Sequence, residues 1–111
     1  MGLFYSPIEI RESIENCSSE DKDAIELSIS RIIEFHKKQM PANLSWKDEL
    51  GIELGWVWKP IERVGVYVPG GKASYPSSAI MNIVPARVAG VDDIVLASPA
   101  PDGAFNPLML Y

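Results

Sequence analysis

Cysteine and histidine are nearly missing from this chain, which holds one of each, Cys17 and His36. A lone cysteine closes no disulfide within the chain, and one cysteine with one histidine falls short of the usual Cys/His zinc set. Long apolar runs are also missing: nothing approaches the roughly 18 residues that a membrane-spanning helix needs. The leading Met1-Gly2-Leu3-Phe4-Tyr5 lacks the basic flank and extended apolar region of a signal peptide. The expected address is therefore cytoplasmic, with no membrane partner. Basic residues are in deficit, 10 against 15 acidic ones, and the net charge of −5 has the wrong sign for a protein that gains affinity by neutralising phosphates along a nucleic acid. What is present, 111 residues of which 47% are apolar and 23% charged, suits one globular unit rather than a disordered or collagenous chain.

Helices dominate the first third. Ser6-Pro7, followed by Ile8, Ile10 and Ile14, predicts a short helix capped by Ser6 with Pro7 at its first position, ending near Asn16. Ser18 and Asp21 stand at capping-box spacing and open a second helix. Ile25, Ile29, Ile32, Ile33 and His36 recur there at three- and four-residue steps and build one apolar stripe, while Glu26, Ser30, Glu34 and Lys37 turn outward. Lys37 and Lys38 suit the negative end of the helix dipole, and Pro41 stops continuation. From Leu44 to Trp58 the periodicity weakens, with residues 51–58 alternating enough for an extended segment.

The last half reads differently. Arg63-Val64-Gly65-Val66-Tyr67-Val68 is a β-branched run that ends at Pro69-Gly70-Gly71. Ser77 to Ala89 is apolar almost all round, as expected of a helix buried on several sides, and Gly90 is a natural stop. Pro85 lies inside that span and removes a backbone donor, which predicts a kink or short break. Asp93 to Ala97 is a second short apolar strand. Strand, Gly-rich loop, helix and strand describe one βαβ crossover with parallel strands and a right-handed connection. Continuously apolar strands imply a sheet covered on both faces, which two strands and one helix cannot supply. Asn106 to Tyr111 looks like the first turn of another helix, so the expectation is a chain cut inside a larger α/β domain.

Open parallel sheets take ligands at the carboxyl ends of their strands, and the loop after Val68 lies at such an end. Pro69, Gly70, Gly71 and Lys72 bring flexible backbone and a cation, and amides there with the following helix N-terminus can meet an anion such as a dinucleotide phosphate. The segment does not fit G-x-G-x-x-G, and a Gly-Gly pair at a strand-to-helix junction also serves simply as a turn. Tyr67 at the strand end either stacks on a planar ligand and hydrogen-bonds it, or is a half-buried strand aromatic. His36 reads as a helix-end residue bonded to a carbonyl or carboxylate, because a base or ligand needs partners that the chain does not show. Trp46, Trp56 and Trp58 read as packing residues around an irregular segment, Cys17 as a buried or inert thiol, and Glu20-Asp21-Asp23 as a helix first turn.

One segment goes further than spacing. Arg63-Val-Gly-Val-Tyr-Val-Pro-Gly-Gly-Lys-Ala-Ser-Tyr-Pro-Ser-Ser-Ala-Ile-Met-Asn-Ile-Val-Pro-Ala-Arg-Val-Ala-Gly-Val91 closely resembles the glycine-loop region of histidinol dehydrogenases. Ile33-Glu34-Phe35-His36-Lys37-Lys38-Gln39 resembles a helix end of that family, and Ile94-Val95-Leu96 with its Pro-rich loop continues the register, so the resemblance covers residues 6–111. It implies an enzyme that oxidises L-histidinol through the aldehyde to L-histidine in histidine biosynthesis, using two NAD molecules and a zinc ion, as a homodimer. By position Tyr67 matches the family's NAD-contacting tyrosine, with Pro69, Gly70 and Gly71 as possible loop contacts. The family's substrate serine, zinc ligands and Glu-His acid/base pair correspond to segments after Tyr111, and His36 does not map onto a zinc position. The chain is thus expected to be an internal slice: residues 1–60 a helical segment with an extended linker, residues 61–111 the truncated start of an incomplete Rossmann-like, NAD-contacting domain. Alone it is expected to be inactive and unable to bind zinc. The competing reading is a non-catalytic remnant or assembly module that pairs through its uncovered sheet.

Overall fold

The computed structural model describes residues 4–69, 75–100 and 106–111. Helix α1, Pro7–Glu15, starts where the sequence reading places it, and its cap is a full capping box. The Ser6 hydroxyl accepts from the Glu9 backbone N–H at 3.3 Å, and the Glu9 carboxylate accepts from the Ser6 N–H at 2.7 Å. Helix α2, Ser19–Lys37, is capped by Ser18, which accepts from the Asp21 N–H at 3.1 Å. Asp21, one methylene shorter than Glu, accepts from the Ser18 hydroxyl at 2.7 Å, whereas Glu9 reaches the cap's backbone.

The weakly periodic stretch is a hairpin. Strand β1, Leu44–Lys47, pairs antiparallel with β2, Glu53–Trp56, in the register Leu44 to Trp56, Ser45 to Gly55, Trp46 to Leu54 and Lys47 to Glu53. Asp48 closes it: its carboxylate accepts from the Leu50 and Ile52 N–H groups, both at 2.9 Å, and Gly51 takes φ = 81°, the left-handed turn conformation suited to glycine.

Strands β3, Arg63–Tyr67, and β4, Asp93–Ala97, pair in parallel, with Arg63 opposite Asp93 and Tyr67 opposite Ala97. Helix α3, Pro76–Val88, connects them, so the βαβ order read from the sequence is present. The first rung carries an ion pair in which Arg63 Nε and Nη2 both reach Asp93 Oδ2. Helix α3 runs through Pro85 as one continuous helix, so of the kink or short break expected there the break is absent. It ends in a Schellman arrangement: Val91 N–H donates to Ala86 O, Gly90 N–H to Arg87 O, and Gly90 sits at φ = 94°. Arg87 Nη1 then donates to the carbonyls of Val91 and Asp92, at 3.2 and 2.7 Å.

The core lies between α3 and one face of the β3–β4 pair. Val66, Val68 and Ala79 form its centre, with Val64, Ile83, Ile94, Leu96 and Met109 packed around them. The other face of the pair, carrying Gly65, Tyr67, Val95 and Ala97, is exposed, so the two-sided cover expected from the apolar strands is present on one side only among the described residues. Helix α2 packs along α3, and α1 packs against a 3-10 turn, Pro107–Met109, where the sequence suggested a new helical turn.

Candidate functional site

Strand alternation decides how the candidate site is built. Val66 and Val68 point toward α3 and are buried at 7% and 0% exposure, so Tyr67 between them points to the opposite, open face. Its ring is 68% exposed at the carboxyl end of β3. That exposure removes the half-buried reading of this residue and leaves a flat aromatic surface with a hydroxyl, able to stack and hydrogen-bond. Pro69 follows it at the surface, while Gly70, Gly71 and Lys72 lie outside the described residues.

Across the strand ends stands the start of α3. Tyr75 is its N-cap residue, Pro76 its first helical residue, and among the described residues no side chain caps the backbone there. Helix N-termini carry unpaired N–H groups and a positive dipole end, which favour anions. Tyr67 and the α3 terminus share one edge of the sheet but not one face, so a ligand that meets both has to straddle the end of β3. Tyr75, half exposed beside this edge, was passed over in the sequence reading; the available signal was its place immediately before a proline at a helix start.

The remaining candidates lie elsewhere. His36, expected to bond a carbonyl or carboxylate, has no such side-chain partner among the described residues and instead sets its ring edge-to-face against Phe35, with centroids 5.3 Å apart. Cys17 is half-buried and donates to Ser13 O at 3.5 Å. Trp46 and Trp56 meet diagonally across the hairpin, edge-to-face at 5.9 Å, and Trp56 Nε1 donates to Ala42 O at 3.3 Å. Glu20 and Asp21 occupy the first turn of α2, as read. No group of three or more His, Cys, Asp and Glu side chains that could hold a metal ion occurs among the described residues. No helix among them is long and apolar enough to cross a membrane.

A groove of about 360 Å³ runs between α2 and α3, lined by Ala24, Ile25, Ile32, Ile80 and Met81, among others, and a second of about 320 Å³ lies at the base of the hairpin against Ala89. Neither includes Tyr67.

A parallel strand pair joined by one helix, with an exposed aromatic at the strand end where such sheets take ligands, defines the class: a parallel-sheet α/β protein. Within it, a family model for histidinol dehydrogenase matches residues 2–111. The chain belongs to the histidinol dehydrogenase family. It is 54% identical over 108 residues to histidinol dehydrogenase of Cereibacter sphaeroides, covering 97% of this chain and 25% of that relative. It is 48% identical over 109 residues to the enzyme of Rhodopseudomonas palustris, covering 98% of this chain and again 25% of the relative. The crystal structure of histidinol dehydrogenase from Elizabethkingia anophelis superposes with a TM-score of 0.92 at 33% identity, over 99% of this chain and 26% of that one. The chain therefore spans about a quarter of the length of the relatives it matches.

Proposed function

We propose that this chain serves the NAD-dependent oxidation of L-histidinol, through the aldehyde, to L-histidine, as the part of a cytoplasmic homodimeric enzyme that contributes Tyr67 to the cofactor. Family membership supports the reaction class, and the single observation that carries the assignment of Tyr67 is its exposed ring at the carboxyl end of β3. NAD, when bound, accepts the hydride in each of the two oxidation steps. The residues present fit one edge of such a dinucleotide. Tyr67 offers a stacking face and a hydroxyl, the resemblance adds Pro69, Gly70 and Gly71 as loop contacts, and the start of α3, where Tyr75 supplies no side-chain cap, favours a phosphate. In this reading residues 61–111 hold the cofactor-facing unit and residues 1–60 support it. The zinc ion implied by the resemblance finds no ligand set among the described residues, and no step is assigned to it here. On this reading the 111-residue chain is inactive by itself, since the acid/base pair and substrate contacts implied by the resemblance correspond to no residues of its own.

The test is a chimera in which this chain replaces the matching 108 residues of the Cereibacter sphaeroides relative. The expected result is histidinol-dependent NADH formation by the chimera and none by the chain alone. A folded chimera without that activity, or an active isolated chain, overturns the reading.

A further inference from the structure

A contact between Tyr111 and α2 joins residues far apart in sequence. The Tyr111 hydroxyl donates to the Glu26 carboxylate across 85 positions, and Lys22 Nζ stands over the same ring, 5.9 Å from its centre. Lys22 and Glu26 are four residues apart on one helix and so lie on one side of it. The ring is therefore held at two points, by a charge-assisted hydrogen bond at its hydroxyl and by an ammonium at its face.

What the ring holds in place is the turn before it. Asn106 Oδ1 accepts from the Leu108 N–H at 2.9 Å, and Pro107 O accepts from the Leu110 and Tyr111 N–H groups at 3.0 and 3.2 Å. These bonds make residues 106–111 one hydrogen-bonded unit. Two of its side chains serve different layers: Leu108 lines the groove between α2 and α3, and Met109 packs on the core of Val66, Val68 and Ala79. Val66 and Val68 flank Tyr67 in sequence, and their burial turns the Tyr67 ring to the open face. Contacts thus run from α2 through Tyr111 and Met109 to the strand end that carries Tyr67.

We infer that Tyr111 is a positioning residue: its bond to Glu26 latches the 106–111 turn onto α2 and so holds Met109 against the end of β3 that presents Tyr67. The consequence for the cofactor rests on the reading of Tyr67 above, which it deepens. The same bond, with desolvation and the charges of Glu26, Asp23 and Cys17 adding to it, raises the Tyr111 phenol above its ordinary pKa, and Lys22 is the cation that faces the ring. The contribution of the latch is complete below the ordinary tyrosine value and is lost as pH rises through the raised one.

The latch is tested in two settings. In the full 111-residue chain, ultraviolet difference titration against Tyr111→Phe isolates one of the four phenols. The expected result is a phenol that titrates above the ordinary range and returns to it in Glu26→Ala. Exchange of the Val68 amide, which donates to Ala97 O at 2.9 Å, is expected to be faster in both variants. In the chimera, Tyr111→Phe and Glu26→Ala are each expected to raise the NAD KM about threefold, the order of one lost hydrogen bond, with kcat and the histidinol KM unchanged. The double variant is expected to match either single one, since both remove the same bond, and Glu26→Gln, which keeps an acceptor, recovers most of the loss. Glu26 is exposed on α2, so its variants decide the matter should Tyr111→Phe misfold. An ordinary phenol titration, Val68 exchange unchanged in both variants, or additive effects on the NAD KM overturns the inference. An active chimera whose NAD KM ignores both variants sinks the latch and spares the chemistry; an inactive chimera sinks the chemistry, and titration and exchange still decide the latch.

Discussion

At the residue scale, the consequential details are single hydrogen bonds and single side-chain directions. Glu9 accepts from the Ser6 backbone N–H and is also bonded through the Ser6 hydroxyl, and these bonds hold its carboxyl below its ordinary pKa. The unfolded chain therefore takes up this proton at a higher pH than the folded one. The contribution of the cap is complete above the ordinary carboxylate pKa and is lost as pH falls through the lowered value. Acid is expected to fray α1 from its first turn, seen as faster exchange of the α1 amides, and Glu9→Gln is expected to remove this pH dependence; identical acid profiles for the two proteins contradict it. Val68 is fully buried against α3, and Val68→Ala is expected to cost about 2 kcal/mol in denaturant unfolding by loss of transfer energy and the cavity left behind. The position of Tyr67 was readable in advance, since it closes a β-branched run before Pro-Gly-Gly. Its direction was not, because alternation gives two faces and only the placement of α3 says which is buried. The capping residues Ser6 and Ser18 were readable because a cap is a local bond between neighbours in sequence; the edge-to-face contact of Phe35 with His36 was not, because it depends on rotamers.

At the scale of elements, helices α1 and α2 and strands β3 and β4 followed from periodicity, since each satisfies its backbone or buries its face along a continuous stretch. Strand β1 escaped notice because Leu-Ser-Trp-Lys is four residues long, and its alternation acquires meaning only when Trp46 lies opposite Leu54 and Leu44 opposite Trp56. Helix α3 tolerates Pro85 because Ala79 and Ile83 anchor it in the core against the sheet and the Schellman turn closes its end; tertiary packing outweighs one missing donor. The hairpin depends on clearance at Gly55, where an added Cβ would come within 3.0 Å of Ser45 Cα and closer still to Leu44 O. Gly55→Ala is expected to part β1 from β2 and cost about 1–3 kcal/mol of hairpin stability, measured as loss of the slow-exchanging amides of those strands. Unchanged exchange at Trp46 and Leu54 contradicts that expectation.

At the scale of the whole molecule, the β3–β4 pair is covered by α3 on one face and exposed on the other, and α2 packs on α3. The relatives are about four times as long as this chain. The function proposed above divides the labour so that this part orients the cofactor while other parts of the enzyme hold the reacting proton. The most direct test of that division is the Michaelis constant for NAD in the chimera with Tyr67 and with Tyr67→Ala. Loss of one stacking ring and its hydroxyl is expected to raise the NAD KM by roughly tenfold, about 1.4 kcal/mol, with the histidinol KM unchanged and Tyr67→Phe recovering most of the difference. An NAD KM that does not move on Tyr67→Ala contradicts the central claim.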